Sequence, residues 1–292
     1  MKTGYLLIDK KEGMTSMQVD RLVKTNLQEK KVGHLGTLDP FATGLLIIGV
    51  GDATKLFTLI EEDKKTYVAT LSLGKSTDTF DYLGKTLEEK EIVSFTKDDI
   101  LKVFSSFLGK QKQMPPKYSA KHVNGIRAYT LAANNKEVNL EPQEIEIYSL
   151  DLISYDSKSI TFKACVSKGT YIRTLGVDIA SKLNNLGYLS KLRRESIGNY
   201  NASDAIQIDD INDSNLIPIE NFFNFKNLEI TDEKEKNWFL NGTQHTFKNE
   251  NDEYLFIKID NRIIALYKKE KDHHYICYKS FYHGNKWNYI EW

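Results

Sequence analysis

One short loop of the sequence carries the residue types that could do chemistry. It spans residues 33–44 and reads Gly-His-Leu-Gly-Thr-Leu-Asp-Pro-Phe-Ala-Thr-Gly, with a single carboxylate, Asp39. A carboxylate on a rigid turn just before an apolar segment can act as a nucleophile or as a general base. The pattern is equally that of an ordinary turn, because Asp-Pro starts turns and glycine permits them. From local chemistry alone, both interpretations stay open.

The familiar nucleotide, metal and hydrolase signatures are missing from the sequence. Residues 49–55 lack the third glycine of the dinucleotide fingerprint and the Gly-Lys-Ser/Thr spacing of a P-loop. No Gly-x-Ser-x-Gly elbow and no zinc deaminase motif occurs. His273 and His274 are adjacent, so on a strand they would point to opposite faces, which disfavours joint metal binding. The sequence therefore predicts no metal site, no nucleotide cofactor and no serine nucleophile.

The loop and its flanking segments resemble the motifs of the tRNA pseudouridine synthase B (TruB) family. Residues 33–44 meet every fixed position of the family pattern G-H-x-G-x-L-D-P-x-A-x-G. The resemblance covers about residues 4–200 in order. The other matching segments are residues 7–16, 67–84, 115–125, 171–175 and 192–194. These ordered motifs are specific together, although each one alone would be a weak signal.

The resemblance implies a reaction and three catalytic residues. The family isomerises one uridine in the T loop of tRNA, conventionally nucleotide 55, by breaking the N1–C1′ bond and joining C5 to C1′. Asp39 matches the catalytic aspartate, which acts as nucleophile or base, and Arg173 matches the arginine that pairs with it and favours its ionised form. Tyr67 matches the active-site tyrosine that stacks on the target base. Its alternation with Ala69 and Leu71 alone would make it a core residue.

The resemblance also assigns four residues to substrate binding. His34 matches the histidine beside the flipped nucleotide, and Leu192 matches a leucine that lines the pocket. Lys10 and Tyr171 lie in matching motifs and are expected to bind substrate as well. A base inside a folded loop must be flipped out before it can react, at a cost of a few kcal/mol. Because the isomerisation oxidises and adds nothing, the resemblance implies that no cofactor is needed.

Three positions depart from the family pattern. Lys11 stands where proline is usual, and Ala133 stands where arginine is usual. In the proline loop, His122 occupies the usual lysine position, with Lys121 just before it. An RNA contact of this loop is therefore expected to be lost or shifted by one residue.

Charge is balanced overall but segregated along the chain. The 292 residues include 40 Lys and Arg and 40 Asp and Glu, and this zero net charge taken alone argues against a nucleic-acid partner. However, residues 102–127 hold six bases and no acid, and residues 158–194 hold eight bases and one acid, whereas 137–156 and 204–233 are acidic. Either one basic and one acidic face or a locally paired surface would produce this pattern. Because the basic segments contain or adjoin the matched motifs, we expect them to contact RNA phosphates.

Hydrophobic periodicity predicts the elements that must position these residues. The predicted strands cover residues 4–8, 45–50, 66–73, 160–166, 254–259, 263–268 and 275–279. Predicted helices begin at Ser16, which caps a face of Val19, Leu22, Val23 and Leu27, at Thr96 with an apolar stripe to Leu108, and after Gly169. Residues 32–44, 74–84 and 110–125 are predicted loops. Asp260-Asn261 is a predicted hairpin turn.

The expected architecture is α+β, a pseudouridine synthase fold with a mixed, largely antiparallel central sheet. Residues 1–225 are expected to form the catalytic domain. Residues 226–292, rich in short strands, are expected to form a small C-terminal β-barrel, a PUA-like RNA-binding domain. Cys165 and Cys277 are far apart, which fits a reducing compartment. With no signal peptide and no membrane-spanning run recognisable, the expected location is the cytoplasm.

The partner expected for this chain is the T stem-loop of tRNA. We expect a monomer that needs no protein partner and no membrane. One alternative is a guide-dependent synthase of the related eukaryotic and archaeal type, which works with partner proteins. The other is a non-catalytic protein that binds or folds tRNA. The complete set of Asp39, Tyr67 and Arg173 argues against the latter as the only role.

Overall fold

The computed structural model describes residues 2–60, 64–119, 121–123, 126–127 and 140–282, with the backbone alone at 122–123 and 126–127. The sequence departures at His122 and Ala133 and the last residues of the predicted C-terminal domain, 283–292, lie outside the described residues or side chains. Within the described ranges, no helix has the length and apolar character that crossing a membrane requires.

The elements follow one another as a series of short strands interrupted by helices. The α-helices are α1 (Ser16–Leu27), α2 (Lys97–Ser105), α3 (Ile172–Lys182), α4 (Ile219–Phe222) and α5 (Glu233–Leu240). The strands before residue 120 are β1 (Gly4–Lys10), β2 (Val32–Leu35), β3 (Thr43–Val50), β4 (Lys64–Leu73), β5 (Lys75–Thr77), β6 (Thr86–Glu89) and β7 (Gly109–Gln113). The middle strands are β8 (His122–Val123), β9 (Ile126–Arg127), β10 (Gln143–Tyr155), β11 (Ser159–Ser167), β12 (Gly187–Ile197), β13 (Tyr200–Asn201) and β14 (Ile206–Gln207). The last strands are β15 (Lys226–Glu229), β16 (His245–Thr246), β17 (Tyr254–Ile259), β18 (Arg262–Lys271) and β19 (His274–Ser280). Short 3-10 helices cover Gly51–Leu59, Ala202–Asp204, Ile208–Asp210 and Asp213–Asn215.

A ten-stranded sheet organises the first two thirds of the chain. Its order is β14-β1-β3-β12-β4-β11-β10-β7, with β2 paired to β3 and β13 paired to β12. Two of its pairings, β1 with β14 and β3 with β12, are parallel and the others are antiparallel. The predicted α+β architecture with a mixed, largely antiparallel sheet is therefore confirmed.

The face of this sheet that carries Tyr67 and Leu71, here called the helical face, is covered by α1, α2 and α3. Residues directly paired across strands share a face, so Arg194 of β12 and Gly44 of β3 lie on the helical face too. Each helix contributes apolar side chains from its predicted stripe. They are Val19, Val23 and Leu27 from α1, Ile100 and Phe104 from α2, and Leu175 and Ile179 from α3.

The start of α1 differs from the sequence prediction. The N-cap is Thr15, whose hydroxyl accepts the Gln18 N–H, while the Gln18 side chain accepts the Thr15 N–H. Ser16 is the first helical residue and does not cap. Leu22, predicted to face the core, is 39% exposed. Both Thr and Ser are good caps, so the sequence could not choose between neighbours that tertiary contacts distinguish.

Three segments predicted as loops contain strands. β2 lies at the start of residues 32–44, β5 lies within 74–84, and β7 overlaps the start of 110–125. β7 reads Gly-Lys-Gln-Lys-Gln, which has no apolar alternation, so its own sequence does not predict a strand. It is a strand because it pairs with β10. The capping box of Thr96 and Asp99 is confirmed, but α2 ends at Ser105. Leu108, placed on the stripe by its spacing, therefore lies beyond the helix and is half exposed.

A second sheet of five strands forms from residues 226–280, in the order β15-β17-β18-β19-β16. Its hairpin turn at Asp260-Asn261 is confirmed, with φ of 50° and 60°, as a type I′ turn requires. This sheet shares a core with the large one. Phe222 stacks between Tyr5 and Tyr200, at centroid distances of 4.0 and 4.3 Å, and the same cluster includes Phe256 of β17.

We expect Phe222→Ala to destabilise both sheets together. The substitution empties a buried space between two rings, and such losses cost about 3–5 kcal/mol. Urea unfolding followed by far-UV circular dichroism should show a single, earlier transition. An unchanged midpoint would contradict the account of this shared core.

Candidate active site

Asp39 lies on a turn between two paired strands. β2 ends at Leu35 and β3 begins at Thr43, and the two strands are antiparallel neighbours. The turn is closed by the Ala42 N–H, which donates to the Asp39 carbonyl oxygen at 3.1 Å. The Asp39 side chain is 34% exposed. The structure thus presents this carboxylate at the surface of a loop whose two ends are fixed in the sheet.

Arg173 contacts the Asp39 carboxylate directly. Its Nη2 donates to Asp39 Oδ1 at 3.0 Å, and its Nε lies 2.9 Å from Asp39 Oδ2. Arg173 is in the first turn of α3, and its side chain is only 4% exposed. The rest of the guanidinium is held by backbone carbonyls, since Nη1 donates to Thr79 at 2.7 Å and Nη2 to Tyr118 at 2.8 Å. Two carbonyl groups on different loops therefore hold the guanidinium in the orientation in which it contacts the Asp39 carboxylate.

Asp81 is a second carboxylate at this cation, and the sequence did not single it out. Its Oδ2 lies 3.6 Å from Arg173 Nη1. Its other oxygen accepts from the Thr79 hydroxyl at 2.8 Å and the Leu83 N–H at 3.0 Å. Burial raises the pKa of the Asp81 carboxyl, and these hydrogen bonds and Arg173 oppose the rise. Its only sequence signal was its place in the matched segment 67–84.

Tyr67 and Leu192 lie together on the helical face. Both are buried, and they belong to the apolar cluster that also contains Leu38 and Phe41 of the loop. Their strands, β4 and β12, are antiparallel neighbours. The structure therefore places these two predicted residues in a common apolar wall with the residue that precedes Asp39.

Tyr171 is the residue from which α3 starts. Its N–H donates to Gln113 Oε1 at 2.8 Å, and its carbonyl oxygen accepts from Gln113 Nε2 at 3.0 Å. This reciprocal pair joins β7 to the start of α3, two residues before Arg173. Burial raises the pKa of the Tyr171 hydroxyl.

His34 lies on β2 and not in a loop. Its Nδ1 is 2.8 Å from Asp20 Oδ2, and its Nε2 is 3.1 Å from the Thr37 hydroxyl. Both ring nitrogens are thus engaged within the protein. The ring face is what remains for contact with another molecule, and the contact with a flipped nucleotide stays a prediction.

Lys10 is fully buried beneath the loop, whereas the sequence analysis expected it to bind substrate. Its ammonium donates to the carbonyl oxygens of Lys11, Met14 and Pro40, at 3.0, 2.7 and 3.3 Å. These three acceptors satisfy its three donors. Burial lowers the pKa of Lys10 to about 8, against the opposing effect of the Asp39 charge. Lys10 therefore contacts the residue after Asp39 and is shielded from solvent in this structure, and its contact with substrate stays a prediction.

Arg194 holds both ends of the loop. Its Nε donates to the Leu45 carbonyl oxygen and its Nη2 to the Gly36 carbonyl oxygen, each at 2.8 Å. The side chain is almost completely buried. Gly44 packs directly on the Arg194 backbone at φ 98°, and a Cβ there would lie 2.2 Å from the Arg194 carbonyl oxygen. The last glycine of the motif is thus required by close approach of β3 to β12.

No group of three or more His, Cys, Asp and Glu side chains suited to a metal ion occurs among the described residues.

Comparison with known proteins gives concordant matches. The model of the TruB family pseudouridylate synthase N-terminal domain matches residues 24–172. A tRNA pseudouridine synthase B of Clostridium acetobutylicum is 40% identical over 275 residues, covering 92% of each chain. A protein of the same name from Mycoplasma mobile is 46% identical over 66% of this chain and 68% of its own length.

Solved structures share the arrangement of the elements. A chain in the crystal structure of a Cbf5-Nop10-Gar1 complex has a TM-score of 0.66 at 22% identity, covering 95% of this chain and 84% of that one. A chain in an H/ACA RNP bound to a substrate RNA containing 2′-deoxyuridine has a TM-score of 0.65 at 20% identity, covering 99% and 88%. At this identity the likeness shows a common fold.

Proposed function

This chain belongs to the TruB family of pseudouridylate synthases, and from that premise we propose that it converts one T-loop uridine of tRNA, conventionally nucleotide 55, to pseudouridine. The relatives that are 40–46% identical are named tRNA pseudouridine synthase B. The observation that carries the proposal is the contact of Arg173 with Asp39, on the loop that meets every fixed position of the family pattern.

The site fits a reaction that moves one bond and changes no oxidation state. The N1–C1′ bond breaks, the base turns, C5 joins C1′, and the proton on C5 is lost while N1 gains one. Whether Asp39 acts as nucleophile or as base, its carboxylate has to be ionised and correctly oriented. The fixed Arg173 guanidinium supplies the opposite charge and sets the orientation. Tyr67 and Leu192, which belong to the same apolar cluster as Leu38, provide an apolar surface against which a flipped base can stack.

We further propose the division of the chain into a catalytic domain, residues 1–225, and a PUA-like RNA-binding domain, residues 226–292. The five-stranded sheet that starts at Lys226 supports this division. Trp238 on α5 is half exposed, and an exposed indole face is suited to stacking on an unpaired base.

We propose that the chain acts on the T stem-loop as a stand-alone monomer in the cytoplasm, where tRNA is modified. The sequence relatives named for tRNA are about twice as similar to this chain as the chains from the Cbf5-Nop10-Gar1 and H/ACA RNP structures, at 40–46% against 20–22% identity. This difference favours the stand-alone enzyme over the guide-dependent alternative.

The deciding experiment is a reaction of the purified chain with a T-arm RNA alone. We expect one pseudouridine at the target uridine, detected as release of tritium from uridine labelled at C5, because C5 loses its hydrogen when it joins C1′. The same RNA with cytidine at that position should release nothing. A reaction that needs added proteins or a guide RNA would establish the alternative, and a chain inactive on whole tRNA as well would overturn the proposal.

A further inference from the structure

The hydroxyl of Ser16 contacts the backbone of the residue before Asp39. Leu38 N–H donates to Ser16 Oγ at 3.0 Å, and Ser16 O–H donates to the Leu38 carbonyl oxygen at 3.3 Å. Ser16 is 1% exposed, so the contact is shielded from solvent. One hydroxyl therefore satisfies both polar backbone groups of Leu38.

The residue after Asp39 is held from the same segment. The Pro40 carbonyl oxygen accepts from the Gly13 N–H at 2.9 Å and from Lys10 Nζ at 3.3 Å. Asp39 thus lies between two residues whose backbones are bound to the connection between β1 and α1. Its carboxylate is bound from elsewhere, by Arg173.

Helix capping does not require the Ser16 hydroxyl. Thr15 provides the cap and completes a capping box with Gln18. Ser16, one position further, has its hydroxyl free for a tertiary contact. Alanine at this position would keep the helix and its apolar packing but would leave the N–H and the carbonyl of Leu38 without this partner.

We propose that Ser16 is a positioning residue for Asp39. By fixing Leu38 from the start of α1, it sets the place at which the Asp39 carboxylate meets both Arg173 and the substrate sugar. Misplacement of a reacting group by about 1 Å can lower a rate by about a hundredfold. The inference rests on the proposed function, because it takes Asp39 to be the group that reacts.

The test compares Ser16→Ala with Thr15→Ala, which removes the neighbouring hydroxyl. In single-turnover reactions with excess enzyme on T-arm RNA, we expect S16A to react about 10-fold or more slowly, with its RNA dissociation constant within about twofold of wild type. T15A should lose the helix cap instead, with a melting temperature lower by a few degrees and a rate within about twofold of wild type. Ser16→Thr keeps a hydroxyl and should recover part of the rate.

The possible outcomes separate positioning from general stability. Equal rate losses in S16A and T15A, or a loss that follows the melting temperature, would overturn the inference in favour of a purely structural role. A loss of RNA affinity with an unchanged rate in the bound complex would overturn it too. Wild-type protein that is inactive on T-arm RNA and whole tRNA would overturn the proposed function itself, whereas an active wild type with an equally active S16A overturns this inference alone.

Discussion

We expect Asp39→Asn to abolish pseudouridine formation on a T-arm RNA while the RNA still binds. Asparagine has nearly the same shape but no charge, so it can neither attack C1′ nor accept a proton as a carboxylate does. The loss should be on the order of a thousandfold or more in the single-turnover rate. RNA affinity, measured by filter binding, should change by less than about fivefold, because phosphate contacts elsewhere supply most of it.

A matched control is Asp151→Asn, which removes an exposed carboxylate on β10. Its rate should equal that of the wild type. If D39N retained a tenth of the wild-type rate, Asp39 would be neither the nucleophile nor an essential base, and the proposed site would be wrong.

The second large effect is expected for Arg173→Lys. Lysine keeps the charge, but a single ammonium cannot bind both oxygens of Asp39 and also reach the carbonyl oxygens of Thr79 and Tyr118. We expect the single-turnover rate to fall by roughly a hundredfold or more, together with a lower melting temperature, because a planar, buried fork is replaced by a point charge. Quenched single-turnover assays measure the rate, and thermal melts measure the melting temperature.

Arg193→Lys is the corresponding control. Arg193 is next to Arg194, binds Asp9 through both terminal nitrogens, and is 37% exposed. Because that pair is partly solvated, the same substitution there should cost little stability and leave the rate within about threefold of wild type. Equal losses in both variants would indicate that Arg173 serves only to hold the fold together.

The pairing of Asp39 with Arg173 was predictable because each lies in a contiguous motif that can be matched to a family. Asp81 was not, because its role depends on a contact with a cation 92 positions later, and nothing local distinguishes it from Asp78. The burial of Lys10 was not predictable either, since a motif gives a residue type but not the carbonyl groups that enclose its ammonium. Burial and hydrogen-bond partners, which decide these roles, arise only when distant segments meet.

The secondary-structure elements show the same difference between what the sequence predicts and what it does not. β1, β3, β4 and β11 follow apolar runs or alternation, which burial on one or both faces imposes on the sequence. β7 is composed of glycine, lysine and glutamine and is a strand because β10 provides a partner. Thr15 and Ser16 are equivalent as local signals, and the contact of Ser16 with Leu38 is what distinguishes them. The sequence thus predicts elements with a clear apolar run or alternation and misses β7, which its neighbour specifies. It also misses β10 and β12, whose register shifts interrupt the alternation.

The separation of Asp39 and Arg173 by 134 positions has a consequence for the chain during its synthesis. β1, the segment under the loop and Asp39 itself leave the ribosome first, but the cation that fixes the carboxylate follows much later, at rates of about 5–20 residues per second. A nascent or prematurely terminated chain of fewer than 173 residues carries the Asp39 carboxylate without its partner. Only chains translated past residue 173 can complete the ion pair on which the site is built.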